Sequence, residues 1–233
     1  DAHLDRLYAS ATYLDVHAPD RLRLKPQLLR ALASSGVREA VVRIALLPKG
    51  AAATPSIVVR PVPRPSASAY RRGIRLAIVP TRKFAVSTID PQAKYSARLG
   101  SVLAVMEAQL RGADEALWMD AMGTVTESTA SNFGIVREGV IVTPPCWLGL
   151  LAGITRDVLF ELARELGVPI REVPLTRHEV YNADEAFLTS TLKEILAVTT
   201  IDGRRIRTGR PGPLTVRLQR AFRELVETET RYV

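Results

Sequence analysis

The 233-residue sequence predicts a mixed α/β chain in two domains, and three observations carry that reading. Short β-branched runs alternate with segments of 3.6-residue apolar period. A proline-rich stretch interrupts them once, and the texture changes after it. The domains are assigned as residues 1–59, a connecting segment at 60–72, and a larger mixed-sheet domain at 73–233.

In chain order, Leu4 to Ala18 reads as a helix, and "RLRLKPQLLRALASSGV" as a second that stops near Gly36. "EAVVRIALLP" and "PSIVVRPV" read as strands. The run from Arg60 to Gly73, "RPVPRPSASAYRRG", holds three prolines that no helix interior or central strand accepts, which makes it the connection. "IRLAIVPT" is a strand, and "YSARLGSVLAVMEAQLRG" a helix with Leu99, Leu103, Met106 and Leu110 on one stripe. "EALWMD" is a strand, and "FGIVREGVIVTP" a hairpin turning at Glu138-Gly139. "AGITRDVLFELARELG" starts a helix near Gly153 and ends it at Gly167. "EAFLTST" is a strand ending in hydroxyls, "AVTTIDGRRI" turns at Asp202-Gly203, and Pro213 sits in the first turn of the closing helix.

Composition narrows the function classes. No apolar run reaches the roughly 20 residues that span a bilayer, and no export signal is present, so a cytoplasmic, membrane-free location is expected. The +8 formal charge comes from arginines spread along the chain, with five lysines and 6% aromatic residues, and this pattern does not predict a nucleic-acid partner. Cys146 is the single cysteine, and His3, His17 and His178 lie far apart, so neither a disulfide framework nor a metal site nor a Ser-His-Asp triad is expected.

The residues able to carry chemistry are individually ambiguous. Gly153, Ile154 and Thr155 open a helix, where backbone N–H groups attract an anion. Thr189 to Thr191 offer hydroxyls at a strand end, and Arg6 offers a guanidinium. Lys94, between a strand end and a helix, suits a Schiff-base amine if buried. Glu127, in "MGTVTESTASNFG", suits a partner for a protonated pyridine nitrogen. Each also has a plain structural reading as a cap, a turn or a solvated side chain. Together they fit a phosphate-bearing aromatic cofactor.

Their order along the chain resembles the class IV pyridoxal-phosphate-dependent aminotransferases, a group that includes branched-chain and D-amino-acid aminotransferases and 4-amino-4-deoxychorismate lyase. The resemblance runs through "HLDRLYASA", the proline-rich segment, Lys94 with "EA" thirteen residues later, "GADEALWMDAMGTVTESTASNFGIV", "TPP", "AGITRDVLFELARELGVPIREV", "ADEAFLTST" and "IDGRRIRTGRPGPLT". It implies the two-domain fold-type IV architecture, with the opening of the small first domain outside these residues. It implies that Lys94 holds pyridoxal 5'-phosphate covalently and then serves as general base, and that Glu127 keeps the pyridine nitrogen protonated. It implies that Arg6, the amides of Ile154 and Thr155, and Thr191 grip the phosphate. Asn132, in the same motif, is read as structural. The implied reaction moves an amino group between an α-amino acid, of branched-chain or D-amino-acid type, and a 2-oxo acid. The alternative is lyase chemistry giving pyruvate and 4-aminobenzoate. A homodimer is implied as well. Two departures stand out: "KYSARL" after the lysine, with Arg98-Leu99 nearer the lyase pattern, and Ala197 where the family usually has proline.

Overall fold

Local signals set the helices of the N-terminal region. The computed structural model describes residues 1–50 and 52–230. Helix α1 (Ala2–Tyr13) ends five residues earlier than the sequence pattern suggests. Asp15 turns to a positive φ of 51° there, and the Val16 N–H closes back on the Ala11 carbonyl at 2.9 Å. Helix α2 (Arg21–Ser35) begins where the Asp20 carboxylate accepts the Leu22 N–H at 2.9 Å, and it ends at Gly36 in the left-handed conformation. Strands β1 (Ala40–Lys49) and β2 (Ala52–Pro61) form an antiparallel ribbon, registered from Ala40 opposite Pro61 to Lys49 opposite Ala52.

The described residues form two compact units. One is Asp1–Arg64 with Ala93–Tyr95, and the other is Pro65–Gln92 with the chain from Ser96 onward. The segment expected to be irregular is more ordered than its prolines suggest. β2 runs through Pro61, where the ribbon ends, and α3 (Ala67–Arg72) starts once Ser66 Oγ accepts the Ala69 N–H at 3.1 Å.

In the second unit the strands are β3 (Ile74–Ile78), β4 (Glu115–Met119), β5 (Val125–Ser128), β6 (Ser131–Arg137), β7 (Val140–Thr143), β8 (Ile170–Glu172), β9 (Glu185–Ser190), β10 (Glu194–Ile201) and β11 (Arg204–Arg205). The helices are α4 (Leu99–Leu110), α5 (Ile154–Glu165), α6 (Arg177–Tyr181) and α7 (Pro213–Thr230). Strands β10, β3, β4, β5, β6 and β9 pair in that order, and β9 pairs back to β10, so the ring closes. β7 extends the sheet from β6, with β8 parallel beside it. The β6–β7 turn has positive φ at both Glu138 and Gly139, the geometry that matches strand twist in a two-residue hairpin.

Alternation along the strands splits the core in two. Leu76, Ile78, Leu117, Met119, Phe133, Ile135, Leu188 and Val198 fill the inside of the ring, with Leu175 and Val180 from the α6 region packed on them. The intervening residues face outward. Ala77, Val79, Ala116 and Trp118 pack under α4, and Val136, Phe187 and Ile195 pack under α5 and α7. The Phe187 ring lies over Gly134, its registered partner, where a Cβ would come within 2.6 Å of the ring. Glu185, also outward-facing, accepts the Leu214 and Thr215 N–H groups at 3.0 and 2.7 Å and so caps α7.

Helix α4 departs from the usual amphipathic arrangement. Its buried residues are Ala104 and Ala108, whereas Leu99 is 74% and Leu110 89% exposed, and Val102, Leu103 and Met106 are exposed beside them. The small residues let the helix sit close on the sheet. The long apolar side chains form a stripe on its far side.

A partly buried ion pair ties the strand ends of this unit together. Glu115 Oε2 accepts from Lys193 Nζ at 2.7 Å, and Oε1 accepts from Thr129 Oγ1 at 2.7 Å and from the Ala116 N–H at 3.0 Å. Burial pushes the Glu115 carboxyl up, but the Lys193 charge and these hydrogen bonds outweigh it, and the net pKa lies below the ordinary value. A depressed carboxyl pKa stabilises the fold above the unfolded-state value, and that contribution is lost as pH falls through the folded value. Lys193→Met is therefore expected to cost about 3 kcal/mol near pH 7. The gap to wild type should narrow below about pH 4 as the carboxyl protonates. Urea unfolding at several pH values measures this.

Candidate active site

Residues of the first unit bring one group together. His3, Arg6 and Ser10 follow i, i+3, i+7 spacing along α1 and so lie on one face. Ser10 Oγ donates to the Arg6 carbonyl at 2.8 Å and accepts the Lys94 N–H at 3.0 Å, so the Lys94 segment is anchored on this helix. The His3 pKa is held below the ordinary value by partial desolvation, then by the nearby positive charges of Arg6 and Lys94. The Lys94 side chain is exposed, where the sequence reading looked for burial. The exposure leaves its amine accessible.

In the second unit the central feature is Glu127. The turn before it is built by Asp120, whose Oδ1 accepts the Met122 and Thr124 N–H groups at 2.9 and 2.8 Å, with Gly123 at φ 87°. β5 then meets β4 with a bulge: Thr126 and Glu127 together lie opposite Trp118, between the pairs Leu117–Ser128 and Met119–Val125. A bulge re-aims a side chain, and this one carries the acid. Glu127 is buried in a strand rather than a surface loop.

Glu127 registers with Asn132, and Asn132 with Thr189, which places the three side chains on the outer face of the ring. Glu127 Oε2 accepts from Asn132 Nδ2 and from the Leu151 N–H, both at 3.2 Å, and Asn132 Nδ2 also donates to the Leu151 carbonyl at 2.8 Å. Oε1 accepts from Lys83 Nζ, which lies 4.7 Å from the centre of the Trp118 ring. Gln92 secures the loop that supplies Leu151: its Nε2 donates to the Leu150 carbonyl at 3.1 Å and its Oε1 accepts the Ala152 N–H at 3.2 Å.

That loop leads into α5. Gly153 stands at the N-cap with no side-chain cap, in contrast to α7, whose first turn receives the Glu185 carboxylate. A Cβ at Gly153 would fall 1.9 Å from Asn132 Oδ1, so the loop can approach the Glu127–Asn132 pair only with glycine there. Ile154 and Thr155 are the first two residues of α5, and their N–H groups belong to the orphan set of a helix start. Thr191 is exposed in the turn between β9 and β10. The buried hydroxyl in the row with Asn132 belongs to Thr189, and its Oγ1 has no partner among the described residues.

The sequence-predicted residues thus fall into two groups, Arg6 with Lys94 and Glu127 with Ile154, Thr155 and Thr191, each in its own unit. Lys83 and Gln92 were not singled out, Thr189 was read only within the hydroxyl run that ends at Thr191, and Asn132 does more than structural work because it orients the acid. Lys83 and Gln92 carried no sequence signal of their own. A ring nitrogen that carries a proton fits an ionised, oriented carboxylate, and a phosphate fits an uncapped helix start. On both counts the residues present suit pyridoxal 5'-phosphate. Among the described residues no cluster suits a metal ion, and no helix is long and apolar enough to cross a membrane.

The family model for amino-transferase class IV matches residues 1–201. A protein of Methanocaldococcus jannaschii, provisionally named a branched-chain-amino-acid aminotransferase, is 37% identical over 232 residues, covering 96% of this chain and 80% of the relative. The branched-chain-amino-acid aminotransferase of Escherichia coli (strain K12) is 39% identical over 165 residues, covering 70% of this chain and 53% of that relative. A crystal structure of an Escherichia coli branched-chain amino acid aminotransferase superposes with a TM-score of 0.91 at 31% identity, covering 96% of this chain and 78% of that one. The T.th. branched-chain amino acid aminotransferase with pyridoxamine 5'-phosphate gives 0.89 at 31% identity, covering 96% and 77%. The chain belongs to the class IV aminotransferase family.

Proposed function

We propose that the chain uses pyridoxal 5'-phosphate to transfer an amino group from a branched-chain α-amino acid to a 2-oxo acid. The observation that carries this reading is the buried Glu127 carboxylate, fixed by Asn132 and the Leu151 N–H on the sheet face that leads to the α5 start. The names of the similar enzymes support the substrate class.

When bound, the cofactor supplies an electron-poor ring that takes up the electron pair released at the substrate Cα. The protein's own residues do the rest. Glu127 holds a proton on the ring nitrogen, since an ionised carboxylate at that atom favours the charged ring. The Ile154 and Thr155 amides and Thr191 in one unit, and Arg6 in the other, are the groups that would hold the phosphate, supplying orientation rather than chemistry. The Lys94 amine would hold the cofactor in the resting enzyme and would serve as the general base that takes up and returns the substrate's Cα proton.

Assay of amino transfer from leucine, isoleucine or valine to 2-oxoglutarate tests the reading. Wild type should turn over, and Lys94→Ala should fall by at least about 10⁴-fold. Release of pyruvate from aminodeoxychorismate, with no 2-oxo-acid-dependent transfer, would contradict it.

A homodimer is also proposed, with the α4 stripe of Leu99, Val102, Leu103, Met106 and Leu110 covered by a second copy. Such an exposed apolar row on one helix is what an interface leaves uncovered in a single chain. Sedimentation should give a dimer for wild type and a monomer for Leu103→Glu/Met106→Glu. A monomeric wild type would exclude the interface.

A further inference from the structure

Lys83 is a lysine in an unusual place. It lies between β3 and α4, its N–H bonded to the Met119 carbonyl at 3.0 Å, so its backbone is tied to the end of β4. Its side chain is only 12% exposed and its ammonium sits between the Trp118 ring and Glu127 Oε1, with the Glu127 side chain 8% exposed. Two dehydrated charges in such a place stabilise each other, and either one left alone is costly.

The two carboxylate oxygens hold different partners. Oε2 is fixed by two neutral donors, Asn132 Nδ2 and the Leu151 N–H, and these orient the group whatever else binds. Oε1 holds a cation. A protonated ring nitrogen brought to the same carboxylate is a second cation, and two cations competing for one buried anion repel. Either the ring nitrogen gives up its proton, which removes the reason for having Glu127 there, or the ammonium moves.

We propose that Lys83 is a positioning residue, a built-in counter-ion that keeps Glu127 ionised and aimed, and that the protonated ring nitrogen of the cofactor displaces it from Oε1. The anchored backbone and the four-carbon stem let the ammonium swing away without moving the strand. Cofactor uptake is then an exchange of one cation for another at a fixed carboxylate, and the protein gives up an internal ion pair each time it loads. This inference rests on the pyridoxal-phosphate reading above.

Titration of the cofactor-free chain with pyridoxal 5'-phosphate, read by visible absorbance and by the rise in melting temperature, tests it with wild type, Lys83→Met and Lys83→Arg. Lys83→Met keeps the apolar stem against Trp118 and removes the charge. It should bind the cofactor about tenfold more tightly, because loading no longer breaks a pair or leaves a second cation beside the ring. Its cofactor-free form should melt lower than wild type, and its gain in melting temperature on loading should be larger. Lys83→Arg should bind no more tightly than wild type. Equal or weaker binding by Lys83→Met would overturn the proposal, since a merely orienting lysine predicts weaker binding. If Lys83→Met does not fold without cofactor, Lys83→Gln takes its place with the same expectation. A wild type that gains no visible band refutes the cofactor reading and this inference with it. A wild type that gains the band beside an unimproved Lys83→Met refutes this inference alone.

Discussion

A carboxylate withdrawn from water organises the candidate site of the second unit. Leaving Glu127 buried without partners would cost several kcal/mol, enough to drive it to the neutral acid, which could not hold a pyridinium. The protein meets that cost locally. An amide side chain, a backbone N–H and an ammonium converge on its two oxygens, and each comes from a different stretch of chain. The bulge at Thr126–Glu127 aims the acid, the hairpin to β6 supplies Asn132, and Gly153 lets the loop before α5 come close enough to offer Leu151. Loss of any one of them would change the charge state or direction of the carboxylate. For that reason the local sequence "TVTESTASNFG" is small and polar around one acid.

The closed ring gives this arrangement its rigidity. Its interior is lined mainly by apolar side chains, so the strands cannot slip by one residue without turning a polar row inward. Its outer face is divided among uses. α4 covers one part with alanines, α5 and α7 cover another through Phe187 and Ile195, and the Glu127–Asn132–Thr189 row carries the polar groups. Two carboxylates on this face receive opposite treatment. Glu185 is consumed as the cap of α7, whereas α5 begins at a bare glycine, which keeps its helix start available to an anion.

Much of the fold was legible because its periods are strong. The two-residue alternation of β3, β4 and β6 and the helical stripes of α5 and α7 each reflect a single buried face, and the paired positive-φ residues at Glu138-Gly139 mark their own turn. Legibility failed where one pattern has two physical causes. The leucines of α4 have the spacing of a core-facing stripe, yet the face toward the sheet is made of Ala104 and Ala108. A periodicity says that one side is apolar, not what covers it. The prolines near residue 62 hid α3, because a helix of six residues has too little length to show a period. Among the site candidates, Lys94, Glu127 and the residues proposed for the phosphate came from family resemblance rather than from their own chemistry, each being plausible as surface. Lys83 left no trace at all. A lysine in a loop is ordinarily solvated, and only the three-dimensional approach of the β3–α4 segment to β5 turns it into a buried counter-ion.

The central claim, that Glu127 exists to keep a proton on the cofactor's ring nitrogen, is tested most directly by ¹⁵N NMR of the chain loaded with ring-¹⁵N pyridoxal 5'-phosphate. In wild type the resonance should fall in the range of a protonated pyridine and show coupling to its hydrogen. In Glu127→Gln, which keeps the shape and the Asn132 contact but not the charge, it should move to the range of the unprotonated ring. An unprotonated nitrogen in wild type, or a protonated one in both proteins, would contradict the account.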